Sequence, residues 1–214
     1  MKLSIVLLRL LCLTLTAIPA MAGNVYDNGP VNGQVDAWTI NFGFAVTDSF
    51  TVSNGNGKIG GMDFWAWLTP GDTITSIEIQ IGNQYFENNL MDLTVGLAQS
   101  NCFLNNFGYN VCLESGTFNG PNLANGNYWV TLQNANVPSG DPAYWDENSG
   151  VGCQSPGCPS LAKPDQLDTI PSEAFTLTAQ GTTTSTGSTP EPSSILLFAS
   201  GLIGVACILR RKLF

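Results

Sequence analysis

The chain has 214 residues and contains no histidine, which removes the commonest general base and metal ligand. Ser-His-Asp catalysis, Cys-His catalysis and ordinary catalytic zinc sites are thereby excluded. Between Gly23 and Pro190 there are 15 acidic residues and two lysines, a net charge of −13, so nucleic acid is not expected as a partner and cations, neutral glycans or basic surfaces are favoured.

Residues 1–22 predict a signal peptide. Lys2 and Arg9 supply a positive start, an apolar stretch follows, and an A-x-A cleavage site ends at Ala22. An uncleaved membrane anchor is the alternative, but the apolar stretch is short and the small-residue site follows it directly. We therefore expect export and a mature chain that begins at Gly23.

Residues 23–179 predict a single all-β domain. Apolar and polar residues alternate in several short runs, of which Ile77–Ile81 and Tyr128–Leu132 are examples. The dipeptide Asn-Gly, a strong signal for hairpins and tight turns, occurs six times, and no segment keeps a helical period. We predict an antiparallel β-sandwich of jelly-roll type, whose sheet order the sequence does not give.

Four cysteines remain once the two chain ends are set aside: Cys102, Cys112, Cys153 and Cys158. In an exported domain they favour two disulfides, for which three connectivities exist. Pairing Cys102 with Cys112 and Cys153 with Cys158 is geometrically the simplest, because each bond closes a short loop. A metal site is the alternative, but paired C-x-x-C spacing is missing, and no histidine is present to activate a catalytic thiol.

The segment Gly140–Gly150 carries clustered oxygen ligands in a loop-like sequence. Asp141, Asp146, Glu147 and Asn148 are of the type that Ca²⁺ prefers, although the spacing is not that of an EF-hand. A solvated acidic loop is the alternative. Asp146 and Glu147 also suggest glycosidase carboxylates, but adjacent residues of a strand point to opposite faces, so we expect no enzyme. Calcium is the only cofactor that the sequence suggests.

Tryptophans offer a second candidate site. Exposed tryptophans on a β-sandwich stack on sugar rings, and Trp129 and Trp145 are the candidates here. Trp129 alternates with apolar residues and shares its face of the strand with Thr131 and Gln133. Trp65 and Trp67 lie in a strongly apolar strand, and most of the tryptophans are expected in the core because tryptophan is highly buried on average.

The last 35 residues differ in composition from the domain. Residues 180–189 are rich in Gly, Ser and Thr, which predicts a flexible linker. Ser193–Leu209 is an apolar run that would span about 25 Å as a helix, against about 30 Å of bilayer hydrocarbon. Arg210–Lys212 follow it and would stay in the cytoplasm by the positive-inside rule. The sequence therefore predicts a C-terminal membrane helix.

Residues 190–214 resemble the PEP-CTERM sorting signal of exported bacterial proteins. The resemblance rests on Pro190, Glu191 and Pro192, followed by the apolar run and the basic cluster. It implies recognition by an exosortase, which would process a transiently anchored chain at the outer surface. A plain stop-transfer anchor is the competing interpretation.

Segments 34–50, 67–72, 140–149 and 170–175 also resemble a group of PEP-CTERM proteins of unassigned activity. The resemblance covers nearly the whole chain and implies no catalytic residue. We expect an exported, surface-sorted, non-enzymatic protein that serves a structural role in the extracellular matrix, with extracellular polysaccharide as a possible partner. An extracellular carbohydrate-binding module is the alternative, and a hydrolase comes third.

Overall fold

A computed structural model describes residues 23–53, 57–148, 161–163 and 170–180. The described residues form strands and turns, without a helix. The thirteen strands are β1 (Asn24–Asp27), β2 (Ala37–Thr39), β3 (Ala45–Val52), β4 (Gly57–Leu68), β5 (Ser76–Gly82), β6 (Met91–Gly96), β7 (Ala98–Leu104), β8 (Asn110–Thr117), β9 (Asn122–Leu123), β10 (Gly126–Asn136), β11 (Ala143–Asp146), β12 (Leu161–Lys163) and β13 (Phe175–Ala179).

The strands form two antiparallel sheets. In the first, β4 pairs with β13 and β11 on one edge and with β8 on the other, while β1 extends β13, β2 extends β11 and β7 extends β8. The short β9 pairs with the start of β4. The second sheet has the order β12-β3-β10-β5-β6. The prediction of an all-β, antiparallel fold is confirmed.

Eight strands define the topology of the two sheets. In chain order these are β1, β3, β4, β5, β6, β8, β10 and β13. When these eight strands are renumbered 1 to 8 in that order, the first sheet reads 1-8-3-6 (β1-β13-β4-β8) and the second reads 2-7-4-5 (β3-β10-β5-β6). This order is typical of a jelly roll. It requires pairing between distant segments, such as β1 with β13, which no local sequence pattern reveals.

One hydrophobic core lies between the sheets. Phe64 and Leu177 of the first sheet and Phe50, Ile79 and Leu132 of the second are fully buried members of a single cluster. The alternation that predicted β5 and β10 places their apolar residues in this core and their polar residues on the outer face. The apolar faces of both sheets are thus covered, which is the arrangement of a β-sandwich.

The disulfide between Cys102 and Cys112 joins β7 to β8 and confirms one half of the predicted pairing. Cys153 and Cys158 lie outside the described residues. So do the signal peptide, the predicted linker except Gln180, and the sorting segment with its predicted helix. Contacts divide the chain into two units, Met1–Gly181 and Thr182–Phe214, and every described residue belongs to the first. Among the described residues, none forms a helix long and apolar enough to cross a membrane.

Candidate functional site

The outer face of the second sheet carries the most promising group of side chains. On β10, Val130 and Leu132 point into the core, so Trp129 and Gln133 point outward, as the alternation predicted. β10 lies between β3 and β5, and Trp129 is paired with Ser49 on one side and Gly82 on the other. Trp129 therefore stands near the middle of this sheet.

Trp129 forms an aromatic pair with Tyr85. The two rings meet edge to face with their centroids 5.8 Å apart, and Tyr85 is 55% exposed while Trp129 is half-buried. Tyr85 comes from the turn after β5, which lies close to the sheet at Gly82. A β-carbon on Gly82 would lie 2.7 Å from the carbonyl carbon of Glu87, so only glycine permits this approach. Because Gly82 has no side chain, the turn that carries Tyr85 can lie close to the sheet, with Tyr85 beside Trp129.

A polar ladder continues from this aromatic pair along the same face. The Glu78 carboxylate accepts hydrogen bonds from the side-chain amides of Gln80, Gln133 and Asn134, each 2.7 Å long. At the edge of the sheet, Asp92 accepts a hydrogen bond of 2.6 Å from Asn88. We call Glu78, Gln80, Gln133 and Asn134 the polar ladder.

The polar ladder has a defined charge. Burial acts to raise the pKa of Glu78, but the hydrogen bonds from Asn134, Gln133 and Gln80 outweigh burial and lower the pKa below its usual value. Glu78 is therefore ionised at neutral pH. Its charge is spread over three amide donors, and each amide, donating through nitrogen, keeps an oxygen with acceptor capacity.

An aromatic pair beside amide and carboxylate groups suits a sugar. Ring faces pack against the apolar C–H face of a pyranose, while polar groups fix its orientation through the hydroxyls. The sequence identified Trp129 but missed Tyr85 and Glu78. Tyr85 lies in a turn without periodicity, and its only signal is an aromatic dipeptide, Tyr85-Phe86, in an otherwise polar stretch after Gly82.

Trp145 is the second tryptophan that was predicted to stack on a glycan, and its position in the structure corrects that prediction. It is fully buried, packs against Phe64 and Phe175, and donates from its indole nitrogen to the carbonyl of Ala174. Its segment is not a loop but β11, which is paired with β2 on one side and β4 on the other. Trp145 is a core residue and does not reach a ligand.

Asp146 of the predicted calcium group binds protein donors instead. Its carboxylate accepts hydrogen bonds from the backbone nitrogens of Asn32 and Gly33, at 3.0 and 2.8 Å, and from the indole of Trp67. Burial raises the pKa of Asp146 to about 6, although these hydrogen bonds act to lower it. The carboxylate therefore fixes the tight turn at Gly33, whose φ is +67°.

The other three members of the predicted calcium group have separate partners. Glu147 accepts a hydrogen bond of 2.9 Å from the indole of Trp38, and the amide of Asn148 donates to the carbonyl of Asn28. Asp141 lies in the turn before β11. Within the part of the chain that the structure describes, no three His, Cys, Asp or Glu residues are arranged to hold a metal ion. The described contacts give calcium no support, and it stays a prediction.

A second group of acidic side chains, which the sequence did not reveal, lies inside the sandwich. Asp48 accepts hydrogen bonds from the amide of Asn28, the hydroxyl of Ser172 and the backbone nitrogen of Glu173, at 2.7 to 2.9 Å. Glu173 is fully buried, and neither of its carboxyl oxygens has a hydrogen-bond partner among the described residues. Burial raises the pKa of Glu173 well above 4.5, and the nearby charges of Asp48 and Glu147 raise it further.

The outer face of the first sheet carries aromatic side chains that pack on one another. Trp67 stacks on Phe107 at 5.6 Å, and Trp65 lies 6.0 Å from Phe103. Phe107 is 59% exposed and packs on the first sheet, whereas the polar ladder lies on the second. Phe107 is thus a useful control for the exposed aromatics of the second sheet.

Residues 188–212 match the family model of the PEP-CTERM protein-sorting motif. The comparison with curated proteins and the comparison with solved structures each gave no match. The motif implies export, processing by an exosortase and transient anchoring in the membrane through the C-terminal region. The chain therefore carries the PEP-CTERM protein-sorting motif at residues 188–212.

Proposed function

We propose that this protein is a non-enzymatic component of the extracellular matrix that holds neutral polysaccharide on the outer face of its second sheet. The single observation that carries the proposal is the aromatic pair of Trp129 and Tyr85 beside the polar ladder. The sorting motif supports it, because sorting delivers the domain to the compartment in which such polysaccharide occurs.

The composition of this face favours a sugar over other ligands. The aromatic pair offers ring surface at low conformational cost, since Trp and Tyr each have only two side-chain torsions. The polar ladder offers amide and carboxylate groups for hydroxyls. A net charge of −13 between Gly23 and Pro190 disfavours polyanionic ligands, so neutral polysaccharide is the better partner.

The non-enzymatic part of the proposal rests on side-chain chemistry. The chain contains no histidine, and the two adjacent carboxylates considered for glycosidase chemistry, Asp146 and Glu147, accept hydrogen bonds from Trp67 and Trp38 respectively. Glycosidases need an acid and a second carboxylate on either side of one scissile bond. Asp146 and Glu147 are buried and engaged with different indoles, which does not suit that arrangement.

The test is binding of the exported, processed protein to insoluble neutral polysaccharides, with a polyanionic one for comparison. Trp129→Ala should weaken binding about tenfold, which corresponds to the loss of about 1.4 kcal/mol. Phe107→Ala, which removes an exposed ring from the other sheet, should bind like the wild type. No binding by the wild type, or equal loss in both variants, would contradict the proposal and leave a purely structural role.

A further inference from the structure

A cleft at one end of the second sheet contains a second aromatic side chain. The turn between β2 and β3 forms one wall and the end of β10 the other, and the residues that line the cleft include Asn41, Phe42, Asn134, Asn136 and Asp141. Three of these residues are asparagines and one is an aspartate. The cleft thus combines one ring with amide and carboxylate groups, as the outer face of the second sheet does.

Phe42 combines an exposed aromatic side chain with an unfavourable backbone conformation. Its side chain is 61% exposed, and its φ is +56°, a left-handed conformation that is uncommon for a bulky residue. The turn is closed by a hydrogen bond of 3.0 Å from the backbone nitrogen of Phe44 to the carbonyl of Asn41. Residues held in such conformations cluster at binding sites, because the strain persists only where the surroundings impose it.

Asn41 makes this turn rigid. Its side chain is buried, donates to the carbonyl of Asp141 at 3.0 Å, and accepts from the backbone nitrogen of Ala143 at 3.3 Å. The turn is therefore tied to the segment that enters β11. Phe42 is therefore exposed to solvent on a rigid turn. This rigidity lowers the conformational entropy that is lost when a ligand binds to Phe42.

Asn134 connects the cleft to the polar ladder. It also has a left-handed φ, of +51°, at an irregularity where β10 shifts register against β5. Its amide donates to Glu78 while the residue lines the cleft. It lies five positions along β10 from Trp129, which is about 17 Å of strand. A ligand that touches both ends must therefore be longer than a disaccharide.

We propose that the cleft at Phe42 is a second sugar subsite and that the ligand is an extended, linear, neutral polysaccharide lying along β10 from Trp129 to Phe42. This inference rests on the proposed function and adds the length and direction of the ligand. Trp129 and Tyr85 bind one sugar unit, Gln133 and Asn134 of the polar ladder contact the hydroxyls of the next, and Phe42 stacks on a unit further along the chain.

Calorimetric titration of the full, processed protein with neutral linear oligomers of glucose, mannose, galactose and xylose, from disaccharide to octasaccharide, tests the inference. Wild-type affinity should rise with length and then level off. Phe42→Ala should bind short oligomers normally but lose most of the gain from length, about tenfold. Phe42→Tyr keeps an aromatic ring and should retain the gain in affinity with length. Phe107→Ala should behave like the wild type.

Trp129→Ala separates the two proposals. If it weakens every oligomer while Phe42→Ala has no length-dependent effect, the second subsite is wrong and the first stands. If affinity does not depend on length in the wild type, the extended ligand is also wrong. If no oligomer binds, or Trp129→Ala changes nothing, the proposed function itself fails.

Discussion

Glu147 and Glu173 lie directly opposite each other across an isolated antiparallel bridge, and both side chains are buried. Residues opposite each other in such a pair have β-carbons about 4.5–5.5 Å apart, so the two carboxyls share one environment. Burial raises the pKa of both. The shift is large for Glu173, which therefore keeps its proton at pH values where an exposed glutamate has lost it.

Glu173→Gln should make the protein more stable at higher pH. In the wild type, the unfolded chain releases the Glu173 proton above the usual pKa of 4.5, whereas the folded chain holds it, so the free energy of unfolding falls as pH rises past that value. Glutamine has no proton to release. Urea unfolding of both proteins from about pH 4 to about pH 8 should show a stability difference that grows with pH.

Glu87→Gln is the matched control, because Glu87 lies half-buried in the turn after β5. A difference from the wild type that grows with pH in Glu173→Gln and is missing in Glu87→Gln would assign the effect to the buried carboxyl of Glu173 rather than to the loss of one acidic residue. If Glu173→Gln and the wild type instead gave parallel curves, Glu173 would be ionised in the folded protein.

Asp146→Asn should destabilise the fold. The Asp146 carboxylate accepts hydrogen bonds from the backbone nitrogens of Asn32 and Gly33 and from the indole of Trp67. Asparagine offers one acceptor oxygen, so at least one buried donor loses its partner, which costs about 1–3 kcal/mol. Thermal or urea unfolding measures this loss, and an unchanged midpoint would mean that the turn finds another acceptor.

The same variant tests the predicted calcium site. A ligand that binds only the folded state raises stability by about 2.7 kcal/mol at a hundredfold excess over its Kd. Calcium should be compared with sodium at matched ionic strength, since screening stabilises an acidic domain nonspecifically. A calcium increment in the wild type that disappears in Asp146→Asn would establish the site, and equal shifts in both salts would remove it.

Processing should remove both ends of the chain. The A-x-A site predicts a start at Gly23, and the sorting motif at residues 188–212 implies cleavage by an exosortase. Intact mass of the protein recovered from the cell surface should show Gly23 first and no Arg210–Lys212. A product that keeps these three basic residues would favour a plain membrane anchor.

Local sequence patterns predicted the strands, whereas contacts between distant segments determine which side chains are buried and which lie next to each other. The alternation in β5 and β10 was sufficient to place Trp129 on an outer face. It could not show that Tyr85 lies beside Trp129, because the turn that carries Tyr85 has no period. Trp145 was misassigned because its acidic neighbours suggested a loop, whereas pairing with β2 and β4, which sequence spacing does not reveal, buries it.

Gly82→Ala should damage the sugar site without touching either ring. A β-carbon there would meet the backbone of Glu87, which cannot move aside as a side chain can. The turn after β5 must shift, at a cost of about 1–3 kcal/mol in stability, and Tyr85 should lose its edge contact with Trp129. Binding of neutral oligomers should then weaken several-fold while Trp129 itself is intact.

Gly96→Ala is the matched control for this last change. Gly96 lies on β6 of the same sheet, and the nearest atom to an added β-carbon is the carbonyl oxygen of Thr75 at 3.9 Å, an ordinary contact. Its stability and binding should match the wild type. If Gly82→Ala lost stability but kept full affinity, Tyr85 would not contribute to the site, and Trp129 would have to act with the polar ladder alone.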